Sequence, residues 1–285
     1  MNITDTMAGR DLDALRAAVA GEVFVPGQAG YDQARQAWNL AVDQQPAIVV
    51  EAGSAADVGQ AVRYARAHGI RIAPQGTGHG AGPLEPLDSA MLLRMTRMRK
   101  VRIDPAARTA RVEAGAVWQD VTAPAAGHGL AGLAGSSPSV GVAGYTLGGG
   151  LGWLARRYGL AANSVIAAEL VTPGGDLVRA DAGHGPDLFW AVRGGGGVGV
   201  VTALEMRLYP VRELYAGDLF YPIQRAGRHD GSFVGSWSLM PQPTAGMAVT
   251  PRCCGSVPEA VACDPGSGED GAGRRRMRQV ITQPA

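Results

Sequence analysis

Apolar positions change period repeatedly between Asp11 and Leu208, and each change marks an element. Leu12, Leu15 and Val19 share one side of a helix predicted over Asp11–Ala20, which Gly21 ends. Ala47 to Val50 is a β-branched run and reads as a strand. Ser54-Ala-Ala-Asp57 is a capping-box pattern that opens a helix in which Val58, Ala61, Val62 and Ala65 face one way, and Gly69 stops it. Ile70 to Ala73 supplies a second strand, so a strand-helix-strand unit runs into the loop Gln75-Gly-Thr-Gly-His79-Gly-Ala-Gly82. Ala90–Leu93, Val101–Ile103 and Ala110–Ala114 are short strands, the last two joined by a turn at Asp104-Pro105, and Trp118–Ala126 is a helix broken at Gly127 and Gly129.

Beyond a glycine-rich stretch from Gly135 to Gly152, Trp153–Arg157 forms a helical turn closed by Gly159. Ile166–Thr172 and Leu177–Ala180 read as a hairpin around Pro173-Gly-Gly-Asp176. Asp187–Val192 is helical, and Arg193-Gly-Gly-Gly-Gly197 leads into a strand where Val200, Thr202, Leu204, Met206 and Leu208 alternate with their neighbours. The fold class expected is therefore α+β, with glycine loops at three junctions.

A glycine loop lets backbone amides converge on a pyrophosphate because no side chain blocks the approach. For one loop a tight turn explains the glycines equally well, whereas three together point to a large, elongated ligand. Gly194 to Gly199 satisfies GxGxxG, but it follows a helix and opens a strand, the reverse of a dinucleotide-binding Rossmann turn. On its residues alone, His79 is a loop histidine facing water.

Composition narrows the partners. The 285 residues include 26 Lys and Arg against 25 Asp and Glu, a formal charge of +1, so no global field recruits nucleic acid or an anionic membrane. Hydrophobic residues at 46% allow a sizeable core, and no apolar run reaches membrane-spanning length. The first residues have no signal-peptide core, which makes cytoplasmic residence the expectation. Cys253, Cys254 and Cys263 match no metal-ligand spacing. From about Arg225 the chain holds one Leu and one Ile and reads as a disordered tail, and its Arg274-Arg-Arg276 run has no aromatic platform for nucleic acid.

Several ordered motifs carry a resemblance over about Gln45 to Pro210. They are Gly-Thr-Gly-His-Gly (76 to 80), Ser-Val-Gly-Val-Ala-Gly-Tyr-Thr-Leu-Gly-Gly-Gly (139 to 150), and Asp-Leu-Phe-Trp-Ala-Val-Arg-Gly-Gly-Gly (187 to 196) before Gly199-Val-Val-Thr202. In this order they resemble FAD-linked oxidases of the p-cresol methylhydroxylase and vanillyl-alcohol oxidase type, in particular the berberine-bridge-enzyme-like branch. The resemblance implies a helical lead-in over residues 1–41, a PCMH-type FAD-binding domain of two α+β subdomains over 42–211, and the start of a substrate region with a divergent tail over 212–285, the substrate domain being largely missing.

It also implies a single covalent bond from His79 to the 8-methyl carbon of the isoalloxazine. A neutral imidazole is a good nucleophile near neutral pH. Relatives that add a second bond do so from a cysteine where this chain has Ser137, too weak a nucleophile to replace a thiolate. His128 and His184 sit in no matching motif, and surface loops explain both. By the same resemblance the first loop (Gln75, Gly76, Thr77, Gly78, Gly80) and the second (Gly135, Ser136, Ser137, Val140, Gly141, Gly144) hold the pyrophosphate and ribityl chain. Leu147, Gly148, Gly149, Gly150, Gly152, Tyr158, Gly159, Asn163, Val165, Gly199, Val200 and Val201 complete the cofactor wall. Residues 193 to 199 form a run one residue shorter than is usual in the family.

The function so implied is transfer of a hydride from a small organic substrate, an alcohol, sugar or natural-product intermediate, to covalently bound FAD, with oxygen as acceptor. The alternative is a truncated FAD-binding remnant without turnover. The resemblance assigns no catalytic base, Tyr215 and Tyr221 read as structural, and the oligomeric state is left open.

Overall fold

Two strands are apolar at consecutive positions because both faces of their sheet are covered. In β2 (Ile48–Glu51), Ile48 and Val50 point into one core while Val49 points into another, and β4 (Ala90–Arg94) divides Met91 and Leu93 from Ala90 and Leu92 in the same way. The computed structural model describes residues 9–83, 87–195, 197–212, 216–222 and 248–254, with residues 9–11 and the last two ranges described by backbone alone. The expected tail from Arg225 and its basic run fall outside the described residues apart from the backbone of 248–254, Tyr215 lies outside them, and Tyr221 is described by backbone only.

The first sheet has the order β1-β2-β4-β3, with β1 at Glu22–Phe24 and β3 at Arg71–Gln75. β2 and β3 both run parallel to β4, and β1 is antiparallel to β2. The crossover is the predicted helix, here α3 (Ala55–Ala67), following α1 (Gly9–Ala18) and α2 (Tyr31–Arg35). Half of the expected capping box forms. Ser54 Oγ accepts from Asp57 N at 3.2 Å, but the Asp57 carboxylate turns away and accepts from Gly53 N (2.8 Å) and Ala20 N (3.1 Å), tying the end of α1 to the start of α3.

The second sheet is antiparallel throughout, in the order β5-β6-β10-β8-β9, from β5 (Val101–Asp104), β6 (Thr109–Glu113), β8 (Val165–Val171), β9 (Leu177–Asp181) and β10 (Val200–Arg207). Both predicted hairpins are present. Alternation along β10 sends Leu204 and Met206 into a core with Trp118 and Val121 of α4 (Trp118–Ala126), Val142 of α5 (Val142–Leu147), and Phe189 and Val192 of α7 (Pro186–Arg193). The GxGxxG run does lie between α7 and β10, helix before strand. Ala114, Val171 and Val200 enter the core under α3, and Arg63 donates to Gly175 O at 2.6 Å, so α3 packs on both sheets.

A short pairing of β7 (Leu130–Ala131) with β11 (Tyr209–Pro210) completes this unit. Trp153–Tyr158, which includes α6 (Ala155–Tyr158), groups with the described residues after Pro210 as a second unit. In that unit β12 (Ala216–Pro222) pairs in parallel with β13 (Ala248–Cys254).

The outer face of the second sheet carries a charge ladder. Arg111 grips Glu169 with two bonds of 2.8 and 2.5 Å, and this guanidinium holds the Glu169 carboxyl below the usual carboxylate range. The folded group therefore loses its proton more readily than the unfolded one, and its stabilisation is present above about pH 4 and fades as the pH falls through the lowered value. Glu169→Gln is expected to cost about 1 kcal/mol at neutral pH and to flatten the acid limb of stability, as read by urea melts between pH 7 and pH 3.

Candidate cofactor site

The first glycine loop leaves β3 at Gln75, whose buried amide donates to Gln44 Oε1 at 3.1 Å. Gly78 then takes a left-handed φ of 81°. A Cβ there would lie 2.5 Å from Gln75 Nε2 and 2.9 Å from Ala37 Cα, so only glycine lets the segment around Ala37 lie on the loop. Trp38 N donates to Thr77 O at 2.9 Å and fastens the two backbones together.

That contact puts Trp38 over His79. The indole and imidazole centroids are 3.7 Å apart with an interplanar angle of 17°. His79 Nε2 lies 3.2 Å from Ser139 Oγ, and Ser139 Oγ lies 3.1 Å from Ser137 Oγ. Burial lowers the proton affinity of His79 below the usual imidazole value, opposed by a hydrogen bond to the Ser139 backbone. The ring is thus kept neutral near pH 7. The contact between Nε2 and Ser139 Oγ can run in either direction, Nε2–H donating or Ser139 O–H donating, and the first arrangement puts the lone pair on Nδ1.

The second loop meets the first. A Cβ at Gly141 would be 3.6 Å from Thr77 Oγ1, an ordinary contact distance, and Trp118 N bonds to Val140 O (3.0 Å) while Val142 N bonds to Ala116 O (2.9 Å). α5 lies inside this block, where the glycines leave no helical period to read. Gly135, Gly150 and Gly152 surround Tyr145: a Cβ on each would come within 3.1, 2.8 and 2.8 Å of its ring or hydroxyl. Their missing side chains admit this tyrosine, a packing role beside the expected cofactor role. Burial pushes the Tyr145 hydroxyl up to about 12, so it stays protonated.

Gly80 and Gly144 behave differently. A Cβ at either would meet no protein atom within 4 Å, so both backbones border open space.

The third loop closes on the second. Gly195 has φ 77°, and a Cβ there would sit 3.2 Å from Leu147 O. Gly149 O and Gly150 O accept from Ala162 N (3.0 Å) and Ala161 N (2.9 Å), which brings in Asn163, and Arg193 Nε donates to Ala162 O at 3.1 Å. Gly159 backs onto Asn163, whose Nδ2 would lie 3.2 Å from a Cβ there. Gly148 ends α5. Gly199 lies against the neighbouring strand, where a Cβ would come within 2.5 Å of Val171 O. Val165 and Val200 bury their side chains in the cores, which leaves their backbones for a ligand, and Val201 packs partly buried at a core edge. Gly76 borders Ala114 O, and Ser136 is exposed. Tyr158 lies at the end of α6 in the second unit, with Arg157 5.2 Å over its ring.

His128 is exposed, and exposed His184 bonds Asp181 Oδ1 at 3.1 Å, so both are surface residues. Among the described residues no three His, Cys, Asp or Glu side chains cluster as metal ligands, and no helix is long and apolar enough to cross a membrane. Two surface clefts of about 540 and 600 Å³, one beside Ile70 and Pro173, the other beside Tyr31 and Asp88, touch none of the three loops. Trp38, Gln44 and Ser139 were not singled out from sequence. Ser139 lies in the second motif, but nothing in the pattern around Trp38 marks it as facing the loop.

Residues 46–181 match the family described as FAD binding domain. The chain is 37% identical over 202 residues to (R)-6-hydroxynicotine oxidase of Paenarthrobacter nicotinovorans, covering 70% of this chain and 44% of that protein. An FAD-linked oxidoreductase of Aspergillus terreus is 32% identical over 219 residues, covering 74% of this chain and 44% of its own length. Among solved structures, 6-hydroxy-D-nicotine oxidase from Arthrobacter nicotinovorans superimposes with a TM-score of 0.64 at 37% identity, covering 69% of this chain and 43% of that one. A berberine-bridge-enzyme-like protein of Physcomitrella patens gives 0.64 at 30% identity, covering 70% and 44%. The chain thus spans less than half the length of these relatives.

Proposed function

Since the chain belongs, through residues 46–181, to the FAD binding domain family, we propose that it is the cofactor-holding part of an FAD-dependent oxidase, with the flavin bonded to His79. The observation that carries this reading is the meeting of the first two glycine loops at His79, whose Nε2 lies 3.2 Å from Ser139 Oγ, with the third loop packed on the second at Leu147. The residues suit the group. Gly80 and Gly144 leave backbone open where a Cβ would otherwise stand, as a pyrophosphate or ribityl chain requires.

In this role Thr77 and Gly141 keep the first two loops together, and Gly195 brings the third against Leu147. Ser139 fixes the tautomer of His79 so that Nδ1 presents the lone pair. FAD, when bound, supplies an acceptor for a hydride from a small organic substrate, an alcohol, sugar or natural-product intermediate, and oxygen serves as the final acceptor. The relatives named as oxidases support this reaction class.

A second reading is FAD binding without turnover, because the groups gathered at the site, His79, Ser139 and the open loop backbones at Gly80 and Gly144, are ones that would hold the flavin rather than act on a substrate. Acid precipitation of the purified full chain separates the possibilities. The oxidase reading expects flavin absorbance in the pellet and hydrogen peroxide released with alcohols or sugars. Yellow pellet without peroxide supports binding alone, and a colourless pellet removes the covalent bond.

A further inference from the structure

The loop histidine is covered by a segment from outside all three glycine motifs. Arg94, at the end of β4 and 8% exposed, donates Nη1 to Ala34 O (3.0 Å) and Gln36 O (2.7 Å). At the other end, Gln75 Nε2 holds Gln44 Oε1 at 3.1 Å, with both amides buried. Asn39 Oδ1 accepts from Ala41 N at 3.1 Å and shapes the turn between them. Residues 34–44 therefore form a strap anchored at two buried points, with Trp38 between them.

Trp38 spends its exposure on one side only. The indole is 57% exposed, yet its other face lies flat on the His79 imidazole. A large aromatic left this open in a folded chain calls for a reason, and the imidazole beneath it provides one. The ring of His79 thus has one face against the indole and its Nε2 edge 3.2 Å from Ser139 Oγ.

On the reading that His79 bonds the flavin, we infer that Trp38 is a positioning residue for that bond: its indole fixes the imidazole plane and stabilises the positive charge that grows on the ring as Nδ1 attacks. In the step, the Nδ1 electron pair forms the new C–N bond to the 8-methyl carbon. That carbon gives up one proton, and the imidazole gives up its Nε2 proton toward Ser139. The two electrons from the broken C–H bond stay on the flavin until dioxygen takes them, with the two protons, as hydrogen peroxide. Between those events the imidazole carries a full positive charge, and the negative face of an indole attracts such a cation.

The test follows the rate at which flavin becomes acid-stable after FAD is added to the full chain prepared without it, alongside reversible FAD affinity from quenching of flavin fluorescence. Trp38→Phe keeps an aromatic face and is expected to stay within about twofold of the wild-type rate. Trp38→Leu fills space without one and is expected to slow incorporation about five- to thirtyfold, with FAD affinity within about threefold of wild type. Wild-type rates in Trp38→Leu would overturn the inference. So would equal slowing in both variants with a parallel loss of affinity, which makes Trp38 a packing residue. A wild-type chain that binds FAD but never makes it acid-stable overturns the His79 bond itself, before any change at Trp38 is considered, and the inference falls with it.

Discussion

Alanine at position 79 is expected to yield a protein that still takes up FAD but surrenders all of it to the supernatant on acid precipitation. That loss follows from a scarcity of other nucleophiles as much as from the removal of His79. Ser139, which His79 contacts, and Ser137, bonded to Ser139 at 3.1 Å, are hydroxyls, and neither approaches a thiolate or imidazole in reactivity at neutral pH. The loss should be complete, from a stoichiometric acid-stable flavin to none, while reversible affinity falls only by the contribution of one contact. Rate against pH offers a second measurement. Because burial disfavours the imidazolium, wild-type incorporation should persist below the usual imidazole range and decline only as the pH falls through the lowered value. Acid-stable flavin in His79→Ala would move the bond elsewhere.

The second large effect separates a cofactor wall from a structural glycine. Gly144 sits within α5, and a Cβ there would meet no protein atom within 4 Å. Leucine at this position should therefore leave the fold intact, and can stabilise it by up to about 1 kcal/mol because glycine is a poor helix former. If FAD lies against this backbone, the same leucine occupies its space, and affinity should drop at least about tenfold, equivalent to about 1.4 kcal/mol. Thermal melting and flavin-fluorescence titration on the same sample are expected to move in opposite directions. A leucine variant with wild-type affinity would take Gly144 out of the wall.

Local pattern made most of this architecture readable. The strand-helix-strand unit, both hairpins and the alternating β10 announce themselves through period and turn residues close in sequence, and the structure keeps them within a residue or two. What escaped depends on partners far along the chain. β1 is three residues long, and its pairing with β2 is what makes it a strand. α5 hides in a stretch of glycines that gives no period, and its Val142 is buried by the second-sheet core. The Asp57 carboxylate was expected to close its own capping box, but the more distant amide of Ala20 competes for it.

The site divides along the same line. His79 and the loop glycines were legible because their motifs are contiguous and resemble a family. Trp38 was not, because its place over His79 is set by Arg94 and Gln75, which lie dozens of residues away. For Gly135, Gly150 and Gly152 the sequence showed that side chains must be absent, but not that Tyr145 is what takes the space.

The position of β10 bears on how the molecule comes into being. This strand is the last of its sheet in chain order, yet it occupies the middle, between the β5-β6 and β8-β9 hairpins. As the polypeptide leaves the ribosome, the first sheet is complete once β4 has emerged, whereas the two later hairpins must wait apart until β10 arrives to zip them together. A nascent chain stalled before Val200 would expose both hairpin edges side by side, the stage at which a chaperone has most to shield.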